Sequence, residues 1–204
     1  FGDMFQTNDL QRNEKNILNL GTLIISLQSY NWLLKHKHAA EFYMLMLSAL
    51  LGMFFMLSSS NLLMFYVGLE LASIPLAALA NFDLEKRRSS EAAMKYIISS
   101  AFASGLLLFG VSMMYGVAGS LNFIDLKVIA SANPLFLFSF ILIIAGFGFK
   151  ISAVPFHLWT ADVYEGSPIA VTSYLSVISK GSMIFAMTSV LFTVFDNVFF
   201  QTYN

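Results

Sequence analysis

Residues 146–168 read GFGFKISAVPFHLWTADVYEGSP, and this stretch decides the fold class. It begins inside an apolar run that starts at Pro134, carries Lys150 between two glycines and a proline, and closes on a polar segment ending at Pro168. About 20 apolar residues are what a helix needs to cross roughly 30 Å of hydrocarbon. Gly146 and Gly148 loosen the helix before the lysine, and Pro155 removes a backbone donor after it, freeing the carbonyl of Ile151. Non-helical backbone at membrane depth is tolerated only where protein or water covers it. A broken helix with an amine at the break is therefore a pointer to an ion-conducting site.

The composition outside this stretch agrees. Of 204 residues, 57% are apolar and 11% charged, with a mean hydropathy of +0.72, whereas soluble domains carry about 25% charged residues. The 21 phenylalanines and 11 methionines suit lipid-facing and helix-packing surfaces. A net charge of −1 offers no electrostatic footprint for nucleic acid. The absence of cysteine excludes a disulfide frame, a thiolate-held iron–sulfur cluster and a thiolate zinc site.

Six apolar stretches reach spanning length: residues 17–34, 41–57, 61–82, 90–117, 134–158 and 168–195. The first sixteen residues are polar and are expected outside the membrane, and the chain is expected to be part of a longer one. Loops on the same side must alternate. Those after the first, third and fifth stretches hold Lys35, Lys37, Lys86, Arg87 and Arg88, against Lys127 on the other side, so the positive-inside bias assigns the former to the cytoplasm. Arg12 and Lys15 dissent mildly if they lie opposite.

An ionisable group at the centre of a spanning helix costs about 2.5 to 3.5 kcal/mol, so one that persists marks function by default. Counted from the cytoplasmic ends, Glu70 and Lys180 lie about 18 Å deep, Lys150 about 12 Å and Lys95 about 8 Å. Glu70 sits in GLELASIP, one turn before Pro75, which leaves the Leu71 carbonyl without its usual partner. Lys180 shares a face with Ser173 and Ser176, flanked by Ser179 and Ser182, and a hydroxyl-lined face can hold a water chain. Lys95 shares a face with Ser99 and Ala103. The plainer readings are a salt bridge for Glu70, snorkelling to the interface for Lys150 and Lys95, and packing glue for the serines. His157 is a candidate relay or an interfacial histidine, and Asp162 and Glu165 are expected in a loop. GFGF lacks the strand–turn–helix setting of a dinucleotide cradle, and no paired nucleophile suggests hydrolysis.

These residues suit proton transfer. A lysine buried alone in low dielectric disfavours its charge, and a carboxylate within about 4 to 6 Å restores it. If Glu70 pairs with Lys150, separating them drives a proton toward Lys180 along the serine face. One proton against 100 mV needs roughly 2.3 kcal/mol, which a swing of about two pKa units at about 1.36 kcal/mol each supplies.

GLELASIP, RRSSEAAMKY and GFKISAVPFHLWTADVYEGSP, followed by SxxSKG, resemble the antiporter-like subunit N family of bacterial NADH:quinone oxidoreductase (respiratory complex I), over about residues 41–195. The resemblance implies an all-α membrane protein: an N-terminal polar segment and one transmembrane helix over 1–40, a five-helix antiporter-like repeat with a discontinuous helix over 41–195, and the start of a truncated continuation over 196–204. It implies proton transfer by Glu70, Lys150, Lys180 and Lys95, with His157 in the connecting region. It also implies location in the bacterial inner membrane beside other membrane-arm subunits, which would hold the quinone site, NADH, FMN and iron–sulfur clusters. No cofactor or metal is expected in this chain. Two departures stand out: Ala161 replaces the usual proline of the family motif, and the second repeat is not present. A sodium/proton (Mrp-type) antiporter subunit, a structural scaffold and a solute transporter are the rival readings. The scaffold would tolerate neutral residues at the buried charges, and the transporter needs more varied polar groups than the sequence offers.

Overall fold

The computed structural model describes residues 4–129 and 133–195, so the expected continuation over 196–204 lies outside the described residues. The helices run α1 (Asp9–Leu33), α2 (Ala39–Ser58), α3 (Leu62–Ala80), α4 (Arg87–Ala118), α5 (Phe123–Ile129), α6 (Pro134–Ile151), α7 (Leu158–Gly166), α8 (Ile169–Ser173), a π-helical segment (Tyr174–Ser179) and α9 (Lys180–Val194). Local chemistry sets their ends. Asn61 and Asn133 cap α3 and α6 by accepting from Leu63 N at 2.8 Å and Leu135 N at 3.0 Å, satisfying orphan donors of the first turn. Pro134 occupies the first turn of α6, where its missing N–H costs nothing. Gly119, at φ 68°, ends α4 in the left-handed conformation.

Five helical segments among the described residues are long and apolar enough to cross a membrane: α2, α3, α4, α6 and the continuous stretch Ile169–Val194. The sixth expected span, α1, is not among them. α1 has the length, at 25 residues, but begins at Asp9 rather than at 17 and carries Gln11, Glu14, Lys15, Asn19 and Gln28 along it, so its apolarity falls short. It packs beside the five as one preceding helix.

Two close helix pairs hold the bundle. A Cβ at Gly52 would lie 2.4 Å from Ala72 N, and one at Gly68 would lie 2.5 Å from Met56 N, so α2 and α3 meet backbone to backbone. Gly110 and Gly146 do the same for α4 and α6, where added Cβ atoms would fall 2.8 Å from Ser139 O and 2.7 Å from Leu107 Cβ. Phe65 and Phe147, with ring centroids 5.3 Å apart, join the two pairs in the core. Ile74, Phe102, Ile141 and Phe192 point outward and are exposed, as side chains facing acyl chains do.

The two ends of the bundle separate as the loop charges require. At one end His36 meets Asp83 at 3.3 Å, Lys86 meets Asp83 at 2.7 Å and Arg88 meets Glu165 at 3.3 Å, gathering the basic connections. At the other, Gln6 N donates to Ser58 O at 2.8 Å and Asn61 bridges Asn122.

Candidate functional site

α6 stops at Ile151 instead of running on to 158. Ser152 adopts φ 60°, and Ser152 N and Ala153 N turn back to Phe149 O at 3.1 Å and Gly148 O at 2.8 Å. The chain then crosses residues 152–157 without regular structure before α7 begins. The indole of Trp159 on α7 donates to Phe149 O at 3.2 Å, and Thr160 Oγ1 donates to Ser152 Oγ at 2.7 Å, covering part of the exposed backbone of the break. Residues 158–166, read from sequence as a connection holding Asp162 and Glu165, are therefore the helix α7. The break that Gly146, Gly148 and Pro155 foretell is complete.

Lys150 stands in the last turn of α6, where the free carbonyl ends of the helix favour a cation. Its Nζ donates to Ser73 Oγ on α3 at 2.6 Å and to Ser100 Oγ on α4 at 2.7 Å. Ser73 in turn donates to Leu69 O at 2.7 Å, which leaves its lone pairs for the ammonium. Glu70, one turn before Ser73 on α3, is half-buried, and its Oε1 is buried with no hydrogen-bond partner. It lines a recess of about 160 Å³ with Ser73, Tyr96 and Ser100. The carboxylate thus borders the two serines that hold the ammonium, without the direct ion pair expected from sequence. Ser73, Tyr96 and Ser100 were not singled out in the sequence. The signals were there in the spacing: Ser73 follows Glu70 by three, and Ser100 follows Tyr96 by four, each one helical turn.

A second cavity is lined by Lys150 itself together with Ser73, Tyr96, Trp159, Ser179 and Ser182 among others. At about 20 Å³ it has room for a single water. The serine face expected to join Lys180 is therefore rotated: Ser179 and Ser182 reach this cavity, while Ser176 Oγ folds back on Ser173 O at 3.2 Å. The π-helical segment explains the shift, since its wider i→i+5 turn rotates everything after it against what precedes it.

Lys180 follows that segment directly and faces α7, its Nζ 5.0 Å from the Tyr164 ring centroid and 6.0 Å from that of Trp159, within reach of cation–π attraction. Burial pushes the Tyr164 phenol up to about 12, so it stays neutral, and its hydroxyl is buried without a partner. Lys95 is not brought to this group. It is 43% exposed and bridges Glu91 at 2.7 Å and Asp162 of α7 at 2.7 Å. His157 is exposed at the start of α7. No group of His, Asp and Glu among the described residues is arranged to hold a metal.

Residues 59–203 match the family described as NADH:quinone oxidoreductase/Mrp antiporter, TM. The chain is 47% identical to NADH-quinone oxidoreductase subunit N of Azobacteroides pseudotrichonymphae over 97% of its length, covering 42% of that protein. It is 46% identical to the subunit N of Phocaeicola vulgatus over 96% of its length, covering 42% of that relative too. The chain thus spans about two-fifths of the curated relatives it matches. Among solved structures, respiratory complex I from Thermus thermophilus with bound aureothin superposes with a TM-score of 0.79 at 33% identity, over 92% of this chain and 41% of the other. The Mrp complex from Dietzia has a TM-score of 0.75 at 23% identity, over 92% of this chain and 35% of the other, and shares the fold. This multi-pass membrane chain belongs to the NADH:quinone oxidoreductase/Mrp antiporter transmembrane family.

Proposed function

We propose that the chain forms the first proton-carrying repeat of an antiporter-like subunit N in the membrane arm of a bacterial NADH:quinone oxidoreductase. It would sit in the inner membrane beside other membrane-arm subunits, with NADH, FMN, iron–sulfur and quinone chemistry in its partners. The observation that carries the reading is Lys150 held at a helix end by Ser73 and Ser100, with the Glu70 carboxylate in the same polar group. The relatives named subunit N support the choice of complex.

In this reading the two serines hold the Lys150 ammonium where both Glu70 and the water-sized cavity are within reach. Approach of Glu70 favours the charged amine, and withdrawal favours release of a proton to a water in the cavity. That water lies against Ser179 and Ser182, which lead to Lys180 on the following turn. Since the cavity takes only one water, the route is closed in this conformation, and passage requires the π-helical segment or α7 to shift. A gate of this kind prevents leakage between strokes. We assign Lys95 to the same machinery as a positioning residue, through its ion pair with α7, and His157 to the hydrated end of the break.

The test is NADH-driven proton uptake by inverted membrane vesicles in sodium-free buffer, comparing the native complex with Glu70→Gln. Loss of uptake with NADH oxidation by the peripheral subunits intact supports the reading; full uptake in Glu70→Gln overturns it. A sodium requirement would favour the Mrp-type alternative, which the shared family description and fold keep in view.

A further inference from the structure

Ser73 and Tyr96 line both the Glu70 recess of about 160 Å³ and the cavity of about 20 Å³ that borders Lys150. These two side chains are the shared boundary of the spaces that hold the carboxylate and the amine. Ser73 is engaged on both of its sides: its hydroxyl donates to Leu69 O at 2.7 Å, and its oxygen receives Lys150 Nζ at 2.6 Å. A proton handed through it would first have to break the bond that ties it to its own helix. Ser100, the other acceptor of the ammonium, lines the recess but not the cavity. Tyr96 is the remaining hydroxyl residue that borders both.

Tyr96 stands on α4, one turn before Ser100, and is 3% exposed. Its ring meets the Trp159 ring of α7 edge-on, with centroids 5.2 Å apart, so packing of the ring fixes the side chain without calling on the hydroxyl. A phenol both donates and accepts hydrogen bonds, which is what handing a proton on requires. Glu70 lies within electrostatic reach of Tyr96, as does Tyr164, the phenol over which Lys180 stands. Both spaces have polar walls and room for water: one molecule in the cavity, several in the recess. Tyr66 on α3 is also within electrostatic reach of Glu70 but borders neither space.

We propose that the Tyr96 hydroxyl is a proton relay joining the Glu70 recess to the cavity water, so that a protonated Glu70 reloads Lys150 after that lysine has discharged. This rests on the proton-translocating reading above and adds a residue to its route. In the step, the O–H bond of the Glu70 carboxylic acid breaks, and its proton passes through recess water to the Tyr96 oxygen. The phenol's own O–H bond breaks as the new one forms. The proton it releases crosses the cavity water to the Lys150 amine, where an N–H bond forms. Glu70 ends as a carboxylate, Lys150 as an ammonium and Tyr96 as a phenol again. Opposite charges are restored to one polar group, which favours the forward step. Rotation of the hydroxyl about its C–O bond resets the relay.

The experiment uses the assembled complex with the full-length subunit in inverted vesicles and measures protons taken up per NADH oxidised for Tyr96→Phe, Tyr66→Phe and Glu70→Gln. Tyr96→Phe keeps the ring against Trp159 and is expected to lower uptake about tenfold, a modest share of what a positioned acid–base group contributes. Tyr66→Phe removes a hydroxyl near Glu70 that borders neither space and should pump as the native complex does. Equal losses in the two tyrosine variants, or native uptake in Tyr96→Phe beside its loss in Glu70→Gln, overturn the relay and leave the translocation reading standing. Native uptake in Glu70→Gln removes that reading, and this inference with it. Infrared difference spectra on adding NADH give a readout that packing alone would not move. The carboxylic C=O band that Glu70→Gln abolishes should be lost in Tyr96→Phe as well, and its persistence there refutes the relay. If Tyr96→Phe does not assemble, a fluorinated tyrosine at position 96 decides, since it keeps the ring and hydroxyl but has a more acidic O–H: a displaced pH profile of uptake supports the proposal, and the native profile refutes it.

Discussion

Lys150 and Ser73 face each other across the interface between α6 and α3, ammonium nitrogen to hydroxyl oxygen at 2.6 Å. Glu70 lies one turn away on α3 and lines a recess with Ser73 and Ser100, so the two serines that hold the amine also border the carboxylate. Neutral hydroxyls thus hold the amine, with the carboxylate in the same polar group.

Ser73→Ala should lower proton uptake several-fold while the complex still assembles. It removes one of the two acceptors of the ammonium, a charge-assisted hydrogen bond worth about 1.5 to 3 kcal/mol, and Ser73→Thr should retain most activity. Vesicle uptake normalised to the amount of complex checks this. Unchanged uptake in Ser73→Ala would mean that the serine does not position Lys150.

Lysine-to-arginine exchanges should separate the two kinds of lysine. Lys95→Arg keeps the charge that reaches Glu91 and Asp162 and should pump nearly as the native complex does. Lys150→Arg should not, because a guanidinium does not give up its proton. Equal loss in both variants, measured as uptake per NADH oxidised, would place Lys95 on the proton path itself.

Helix packing gives a prediction without any chemistry. Gly52→Val should reduce the amount of assembled complex, because backbone atoms of Ala72 and Leu71 occupy the space that its side chain needs. Overpacking of this sort costs about 1 to 3 kcal/mol. Gly105→Ala, with nothing within 4 Å of its added Cβ, should assemble at least as well as the native chain. Quantifying complex in native gels distinguishes the two.

Trp159→Phe keeps a ring near Lys180 but removes the indole N–H that serves Phe149 O. The carbonyl then keeps only its bond from Ser152 N, a net loss of about 0.5 to 1.5 kcal/mol, and the thermal midpoint of the detergent-solubilised complex should fall. A midpoint equal to the native one would show that water takes over the bond.

Much of this was legible in the sequence. The apolar runs located four spans to within three residues and the start of the fifth at Pro134, and GFGFK…P announced the break in α6, because glycine and proline act through the local backbone and need no tertiary context. Glu70 and Lys150 were singled out by the cost of burying charge, and they fall in one polar group. What failed depended on contacts across the fold. The serine face before Lys180 was drawn at α-helical period, and six π-helical residues turned it away. Lys95 looked shallow and intramembrane, but its partner Asp162 lies 67 positions along the chain on a helix read as a loop. α1 was judged by its apolar half, which hid that its polar residues are the buried ones.

The most direct measurement is proton uptake in vesicles carrying Lys150→Ala, with NADH oxidation through the peripheral subunits monitored in the same sample. Uptake should collapse while the complex remains assembled and its NADH site active. Native uptake per NADH oxidised in that variant would show that the amine at the helix break carries no protons.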